Sequence, residues 1–481
     1  MTLPAPKLLI GGTFQDAQGG DRIPVLDPST GEPFAELARG RSIDVEMAVA
    51  SAHKAREGAW GRMSAMERGR ILSKLAGKIL ERAQDLAILE ARDVGKPLAQ
   101  ARADAIACAR YFEFYGGAAD KLHGDTIPYQ AGYQVMTWWE PHGVTAHIVP
   151  WNYPMQIIGR SVGAALAMGN ACVVKPGEDA SLTALVLGKL ALEAGLPEGV
   201  LNIVTGYGEE AGAALARHPG IHHISFTGSV AVGQRIQEAA ARNIVPVTLE
   251  LGGKSPQLVF ADADLDAALP FLVRAAVQNA GQTCSAGSRI LIERSVFDEV
   301  ASAIAERFSK LSVGPALDDP DVGPIVSAEQ KARVEGFVSR GETSGAALLA
   351  RGKILDDAPK GGFYVAPALF GPVDSKTELA REEVFGPVLS LVPFTGEDEA
   401  VAIANGTDYG LVAGVWTRDG SRALRMAKRV RAGQVFVNNY GAGGGVELPF
   451  GGVGKSGHGR EKGFVGLYGF GTLKTVAVKY E

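Results

Sequence analysis

The chain has 481 residues, of which 46% are hydrophobic and 21% charged, and its net charge is −5. This length exceeds what one hydrophobic core usually supports, so two or more domains are expected. The mild acidity gives no basis for a nucleic-acid or anionic-membrane partner. The only cysteines are Cys108, Cys172 and Cys284, which argues against a disulfide framework and favours a reducing, cytoplasmic location.

The first strong pattern is helical and runs from residue 64 to about residue 120. Ser64 and Glu67 have the spacing of a capping box, and apolar residues recur at helical intervals after them. From Val144 onward, short apolar runs alternate with amphipathic segments. The predicted strands are 144–149, 171–174, 201–204 and 222–226, with helices at 182–194 and 211–217. Such alternation predicts βαβ units and a parallel sheet, that is, an α/β fold.

A second α/β series is predicted to begin near Val247. Its predicted strands are 290–292, 388–392, 414–416 and 434–437, and one helix follows a predicted cap at Ser295 or Asp298. Residues 129–139 and 472–480 have a different pattern, partly alternating and rich in β-branched or aromatic residues. Both segments are too exposed in pattern to be strands of a parallel core sheet.

Cys284 lies among small residues in the stretch from Gln278 to Gly287, downstream of Glu250 and its Gly-Gly turn. A thiol and a carboxylate in such settings indicate covalent catalysis, in which one residue attacks carbon and the other activates water. The two motifs and their order resemble the aldehyde dehydrogenase superfamily of the hydrolytic type, which does not acylate coenzyme A. Further similar segments extend the resemblance over nearly the whole chain.

The resemblance implies a fold with three parts. A Rossmann-type cofactor domain would comprise residues 1–122 and 141–248, and an α/β catalytic domain residues 249–446. Residues 123–140 and 447–481 would form a β oligomerisation arm and a C-terminal strand. The expected assembly is a homodimer or homotetramer, and the expected small-molecule partner is an aldehyde.

Cys284 is the expected nucleophile, because an aldehyde carbon must become tetrahedral before it can release hydride. The alternative is a buried structural cysteine, which we expect the other two cysteines to be. The resemblance implies that the Asn152 amide and the Cys284 backbone N–H form an oxyanion hole. Glu250 is the expected general base for thioester hydrolysis, with pairing to Lys254 as its alternative role. A carboxylate at this position favours a free carboxylic acid as the product.

The resemblance also places a dinucleotide cofactor. The segment from Phe226 to Gly233 resembles the pyrophosphate site, where a Gly-Ser pair opens a helix. Glu178 would accept hydrogen bonds from ribose hydroxyls but repel a 2′-phosphate, so NAD is expected rather than NADP. The residues expected to bind the cofactor are Trp151, Lys175, Glu178, Gly228, Ser229, Glu383 and Phe385.

Two other glycine motifs are misleading. Residues 206–211 match a dinucleotide fingerprint, but the following strand lacks the acidic residue that the motif requires, so a structural turn is expected. The run Gly454-Lys455-Ser456 lacks the first glycine of a P-loop, because Pro449 stands there. No motif predicts a metal site.

The resemblance places a substrate tunnel around Arg160. If Arg160 lies at a wet tunnel mouth, it can bind a substrate carboxylate, which predicts a semialdehyde substrate. The alternative is that Arg160 pairs with an internal acid, as in some relatives acting on aromatic aldehydes. Many relatives carry a lysine at the position of Ser161, in a proton relay with a glutamate matching Glu461, so that relay is in doubt. The expected tunnel residues are Tyr153, Arg160, Thr283, Ser285 and Phe450, with Gly443 and Gly444 opposite.

Two other functions fit Cys284 less well. One is a cofactor-independent thiol esterase, against which the segments at Lys175, Gly228 and Glu383 argue. The other is a binding or structural protein that has kept the fold, which the joint presence of Cys284, Glu250 and Asn152 makes improbable.

Overall fold

The first of two large sheets has a parallel centre and antiparallel edges. The computed structural model describes residues 3–441 and 445–481. In spatial order the strands of this sheet are Thr13–Gln15, Leu8–Ile10, Leu201–Ile203, Ala171–Pro176, Val144–Val149, His223–Thr227, Val247–Glu250 and Gly457–His458. The five from Leu201–Ile203 to Val247–Glu250 are parallel, so their carboxyl ends share one edge. Ligands of open α/β sheets bind at that edge.

The second sheet is also mainly parallel. Its strands in spatial order are Leu348–Arg351, Ala368–Phe370, Val388–Phe394, Arg289–Glu293, Pro256–Val259, Val412–Trp416 and Gln434–Val437. Only the first of these pairs antiparallel to its neighbour. Its central strands are almost entirely buried, as expected of parallel strands covered on both faces. Two small strand pairs lie outside the large sheets: Arg22–Asp27 with Glu32–Ala38, and Ser312–Val313 with Lys353–Ile354.

Helices cover both sheets. The predicted capping box is confirmed: the Ser64 hydroxyl accepts from the Glu67 N–H, and the Glu67 carboxylate accepts from the Ser64 N–H. The α-helices are Ser42–Glu57, Ala59–Arg62, Ala65–Glu81, Ala83–Val94, Leu98–Ala118, Pro154–Met168, Leu182–Glu193, Ala213–Arg217, Val230–Asn243, Leu265–Val277, Phe297–Ser309, Ala328–Thr343, Glu378–Arg381, Gly396–Ala404, Gly420–Arg429 and Val465–Tyr468. Among the described residues, none of the helices is long and apolar enough to cross a membrane.

The two segments with the exposed pattern pair with each other. Gly471–Lys479 runs antiparallel to Tyr133–Pro141 along its whole length, and Thr126–Ile127 adds a short third strand. Gly471–Lys479 is an edge strand of this three-stranded sheet and is exposed over most of its length. These strands fall largely within the segments predicted to form an oligomerisation arm, and that role stays a prediction.

Besides small shifts at the ends of elements, the structure differs from the sequence-based predictions in three ways. The predicted division at 248/249 cuts the strand Val247–Glu250, which pairs along its full length with His223–Thr227 in the first sheet. The composition of a strand does not reveal which of the two sheets it joins. Residues 447–470 also do not belong to the arm, because Gly457–His458 extends the first sheet. Neither Ser295 nor Asp298 caps the following helix, which begins at Phe297 after a 3₁₀ turn.

Candidate functional site

A cavity of about 980 Å³ lies where the carboxyl edge of the first sheet meets loops of the second. Asn152 follows the strand Val144–Val149, and Glu250 ends the strand Val247–Glu250. Cys284 reaches the cavity from the loop that follows the helix Leu265–Val277. Of the predicted catalytic, cofactor and tunnel residues that the structure describes, all line this cavity except Lys175 and Glu178. The fold therefore brings the expected nucleophile, amide and carboxylate together.

Cys284 is presented by an unusual backbone turn. Asn279, Ala280 and Gly281 are consecutive left-handed residues, with φ values of 51°, 54° and 72°. For the two residues with side chains this conformation costs roughly 1–2 kcal/mol each. Cys284 is half-buried, whereas the other two cysteines are fully buried, as predicted. The turn thus holds one thiol at the cavity wall.

Asn152 is bonded to this turn in two ways. Its side-chain Nδ2 donates to the Gln282 carbonyl at 2.9 Å, and its backbone carbonyl accepts from the Asn279 Nδ2 at 3.0 Å. A primary amide has a second N–H, which can serve an oxyanion beside Cys284. These bonds fix the position of the amide relative to the thiol.

Burial raises the pKa of both reactive groups of the cavity. It raises the pKa of the Cys284 thiol to about 11, although the Arg160 charge opposes the shift. It also raises the pKa of Glu250 well above its usual value, and Glu461 raises it further. Within the described part of the chain, neither carboxyl oxygen of Glu250 has a hydrogen-bond partner. Glu250 is therefore not hydrogen-bonded to Lys254, whose Nζ also lacks a hydrogen-bond partner among the described residues.

Arg160 does not lie at a wet tunnel mouth. Its side chain is 7% exposed and forms an ion pair with Glu461, whose side chain is fully buried. It also donates to the Thr227 hydroxyl at 3.2 Å, and its guanidinium lies 5.1 Å from the centre of the Phe450 ring. The structure matches the alternative in which Arg160 pairs with an internal acid. Sequence alone could not decide between the two possibilities, because Arg160 and Glu461 are far apart in the chain.

Ser161 takes no part in that ion pair. Its hydroxyl donates to the Ile157 carbonyl one helical turn earlier, at 2.8 Å. Glu461 instead accepts a hydrogen bond from the Ser225 hydroxyl at 2.8 Å. The resemblance places a lysine at the position of Ser161 in many relatives. Here the cation that pairs with Glu461 is Arg160, one residue earlier on the same helix.

The far end of the cavity fits a dinucleotide. Ser229 caps the helix Val230–Asn243 by accepting from the Val232 N–H, so a helix N-terminus faces the cavity. The Gly228 N–H donates a hydrogen bond to the Glu250 backbone carbonyl at 3.1 Å. Phe385 packs edge-on against Trp151, with ring centres 5.5 Å apart.

Glu383 is a half-buried carboxyl group at the same end of the cavity. Burial raises its pKa to about 7, and it accepts from the Gly253 N–H at 2.9 Å. Arg333 also lines this part of the cavity and lowers the pKa of Glu383. The Glu383 carboxylate can accept hydrogen bonds from ribose hydroxyls, and the helix N-terminus at Ser229 can bind a phosphate.

Lys175 and Glu178 lie at the end of the neighbouring strand, Ala171–Pro176, and pair with each other at 2.6 Å. The other oxygen of Glu178 accepts from the Gly208 N–H at 3.3 Å. Residues 208–212 form a single π-helical turn before a short helix, so this glycine motif is a structural turn, as predicted. The second misleading motif is also structural, because the Ser456 hydroxyl donates to the Gly252 carbonyl at 2.7 Å.

A sequence model described as the aldehyde dehydrogenase family matches residues 14–476. The chain belongs to the aldehyde dehydrogenase family. A hydroxyisobutyraldehyde dehydrogenase of Mycolicibacterium austroafricanum is 41% identical over 100% of this chain and 95% of its own length. This aldehyde dehydrogenase is therefore an oxidoreductase, as predicted.

Two solved structures have the same fold. A candidate aldehyde dehydrogenase from Burkholderia cenocepacia is 64% identical, with a TM-score of 0.98 over 99% of this chain and 100% of that one. An aldehyde dehydrogenase from Bacillus cereus, solved as an NAD⁺ complex, is 37% identical, with a TM-score of 0.96 over 99% and 97%. The predicted α/β fold is confirmed.

Sequence analysis missed several residues of the cavity in this aldehyde dehydrogenase. Lys462 is 3% exposed, and burial lowers its pKa to about 7. The Tyr440 hydroxyl donates to the Ser285 carbonyl at 2.7 Å, and Gln100 reaches the cavity from the helix Leu98–Ala118. No local motif marks these three residues. Gly443 and Gly444, predicted opposite the tunnel wall, lie outside the described residues.

Proposed function

We propose that Cys284 is the nucleophile of this aldehyde dehydrogenase. Attack forms the bond between Sγ and the aldehyde carbon, and the carbonyl oxygen becomes an oxyanion. The Asn152 amide and the Cys284 backbone N–H stabilise that oxyanion. The observation that carries the proposal is the convergence of Cys284, Asn152 and Glu250 on one cavity.

The thiol must lose its proton before or during attack, because its pKa is about 11. The fixed charge of Arg160 favours the thiolate, and Lys462 acts in the same direction while it is protonated. We propose that a water molecule in the cavity accepts the thiol proton, so that this step does not require Glu250.

We propose that Glu250 acts in the second half-reaction. After oxidation the acyl group remains on Cys284 as a thioester. The Glu250 carboxylate removes a proton from water while the water oxygen attacks the thioester carbon. The C–S bond then breaks, and a free carboxylic acid leaves.

We propose NAD as the preferred cofactor. Glu383, Phe385, Trp151 and the helix N-terminus at Ser229 fit its nicotinamide and phosphate groups, and the NAD⁺ complex of the Bacillus cereus relative supports this choice. When bound, NAD supplies the acceptor for the hydride of the aldehyde. Lys175 and Glu178 would hold the adenosine ribose, and the carboxylate of Glu178 would repel the 2′-phosphate of NADP.

We propose an uncharged aldehyde with an apolar body as the substrate. Arg160 is neutralised by Glu461, so its pairing gives no support to a semialdehyde. Aromatic side chains line the chamber around Cys284, namely Tyr153, Phe271, Tyr440 and Phe450. Such walls favour aromatic or long aliphatic aldehydes.

The decisive experiment measures NADH production at 340 nm with aromatic, aliphatic, carboxylated and quaternary-ammonium aldehydes. Wild-type protein should oxidise uncharged aldehydes best, and Cys284→Ser should be inactive. NADH formation that persists in Cys284→Ser would reject Cys284 as the nucleophile. Preference for succinic semialdehyde over benzaldehyde and hexanal would reject the proposed substrate class.

We propose a homodimer or homotetramer in the cytoplasm. The exposed edge strand Gly471–Lys479 carries apolar side chains, including Leu473 and Val478, which a second copy could cover. The free Cys284 thiol is consistent with a reducing compartment. Light scattering tests the assembly, and a monomer at micromolar concentration would reject it.

A further inference from the structure

The turn before Cys284 is held by one side chain from a distant helix. Gln100 lies in the helix Leu98–Ala118, and its Oε1 accepts from the Asn279 backbone N–H at 3.0 Å. Its Nε2 donates to the Tyr153 hydroxyl at 3.1 Å. One amide therefore joins the left-handed turn to the residue that follows Asn152.

The directions of the hydrogen bonds around Tyr153 are fixed by chemistry. The Nε2 groups of Gln100 and Gln278 are donors only, so the Tyr153 oxygen accepts from both. The Tyr153 proton is then donated to the Thr283 hydroxyl at 2.9 Å. Thr283 in turn donates to the Gln278 carbonyl at 3.3 Å, which only accepts. The chain of bonds ends beside Cys284.

We propose that Gln100 is a positioning residue of the reaction, holding the turn so that Cys284 faces the Asn152 amide. Left-handed Asn279 and Ala280 persist only where surrounding contacts over-determine them. Gln100 bonds directly to Asn279 and, through Tyr153, to Thr283, the residue next to Cys284. Glutamine suits this position because it offers an acceptor and a donor at once. The inference rests on the proposed role of Cys284.

Variants of Gln100 separate its two bonds. Gln100→Leu removes both, whereas Gln100→Glu keeps an acceptor for Asn279 and loses the donor to Tyr153. Tyr153→Phe removes the hydroxyl that links the chain. Arg102→Leu, an exposed change on the same helix, is the matched control.

The first measurement is hydrogen exchange of the peptide 278–284, which needs no aldehyde. Gln100→Leu should exchange the Asn279 amide at least about tenfold faster, with Gln100→Glu in between and Arg102→Leu unchanged. This outcome can be read even if no aldehyde is oxidised, so it is independent of the proposed function. Unchanged exchange in Gln100→Leu would overturn the inference.

The second measurement is kcat and KM with the best aldehyde. Gln100→Leu should lower kcat by about 10- to 100-fold, because small displacements of reacting groups are costly. KM for NAD should stay unchanged, and Gln100→Glu should recover part of kcat. The double variant with Tyr153→Phe should be no slower than the worse single variant, since both act through one chain. Wild-type kcat per folded site in Gln100→Leu would overturn the proposal.

Discussion

Arg160 and Glu461 form a buried ion pair beneath the reactive groups of this aldehyde dehydrogenase. Burial alone would lower the pKa of Arg160, but the carboxylates of Glu461 and Glu250 raise it, and the net shift is upward. An arginine of this kind stays charged at every pH used for assays. It therefore supplies a fixed positive charge near Cys284 and Glu250 rather than a proton.

Arg160→Leu should be strongly destabilising. It leaves the Glu461 carboxylate buried without its cation, which typically costs about 3–5 kcal/mol. The free energy of unfolding in urea measures this loss. Arg160→Leu combined with Glu461→Gln should recover much of it, because the unpaired charge is then gone.

The same variant tests what Arg160 recognises. Because the Arg160 charge is paired with Glu461, Arg160→Leu should slow the oxidation of all aldehydes to a similar degree. The ratio of kcat/KM for succinic semialdehyde to that for benzaldehyde should stay within about threefold of wild type. A selective loss of the carboxylated substrate would mean that Arg160 binds its carboxylate.

Glu250→Gln should block turnover after the first oxidation. Glutamine keeps the shape of the side chain but cannot take a proton from water, so hydrolysis should slow by about 10²- to 10⁴-fold. Rapid-mixing absorbance at 340 nm should still show a burst near one NADH per active site. If the burst disappears together with turnover, Glu250 is needed before the thioester forms.

Much of this architecture could be predicted from local sequence. The bounds of the strand Val144–Val149 were predicted correctly, because a buried parallel strand is a short, mainly apolar run between turn residues. The cavity residues near Cys284 were found through motifs in which chemistry dictates residue type. What depends on long-range packing could not be predicted. The Arg160–Glu461 pair and the contact of Gln100 with Asn279 join segments far apart in the chain, and no local pattern records them.

Alkylation of Cys284 by iodoacetamide should accelerate steeply with pH. A pKa raised to about 11 means that the thiol form dominates at neutral pH, and the reactive thiolate grows about tenfold per pH unit. The rate should therefore rise from pH 7 to pH 10 without a plateau. Cys284→Ser provides the background, which should be small because Cys108 and Cys172 are fully buried. A plateau below pH 8 would show that the thiol is activated in the free enzyme.

Glu178→Gln should weaken discrimination against NADP. The change removes the negative charge expected near the 2′-position of the ribose and frees the Lys175 ammonium, which now pairs with Glu178. Both effects favour a 2′-phosphate, so the ratio of kcat/KM for NAD to that for NADP should fall at least about tenfold. Glu210→Gln is the matched control, because Glu210 lies in the adjacent π-helical turn and pairs with Arg39. An equal change in both variants would point to a general charge effect rather than to a contact of Glu178 with the ribose.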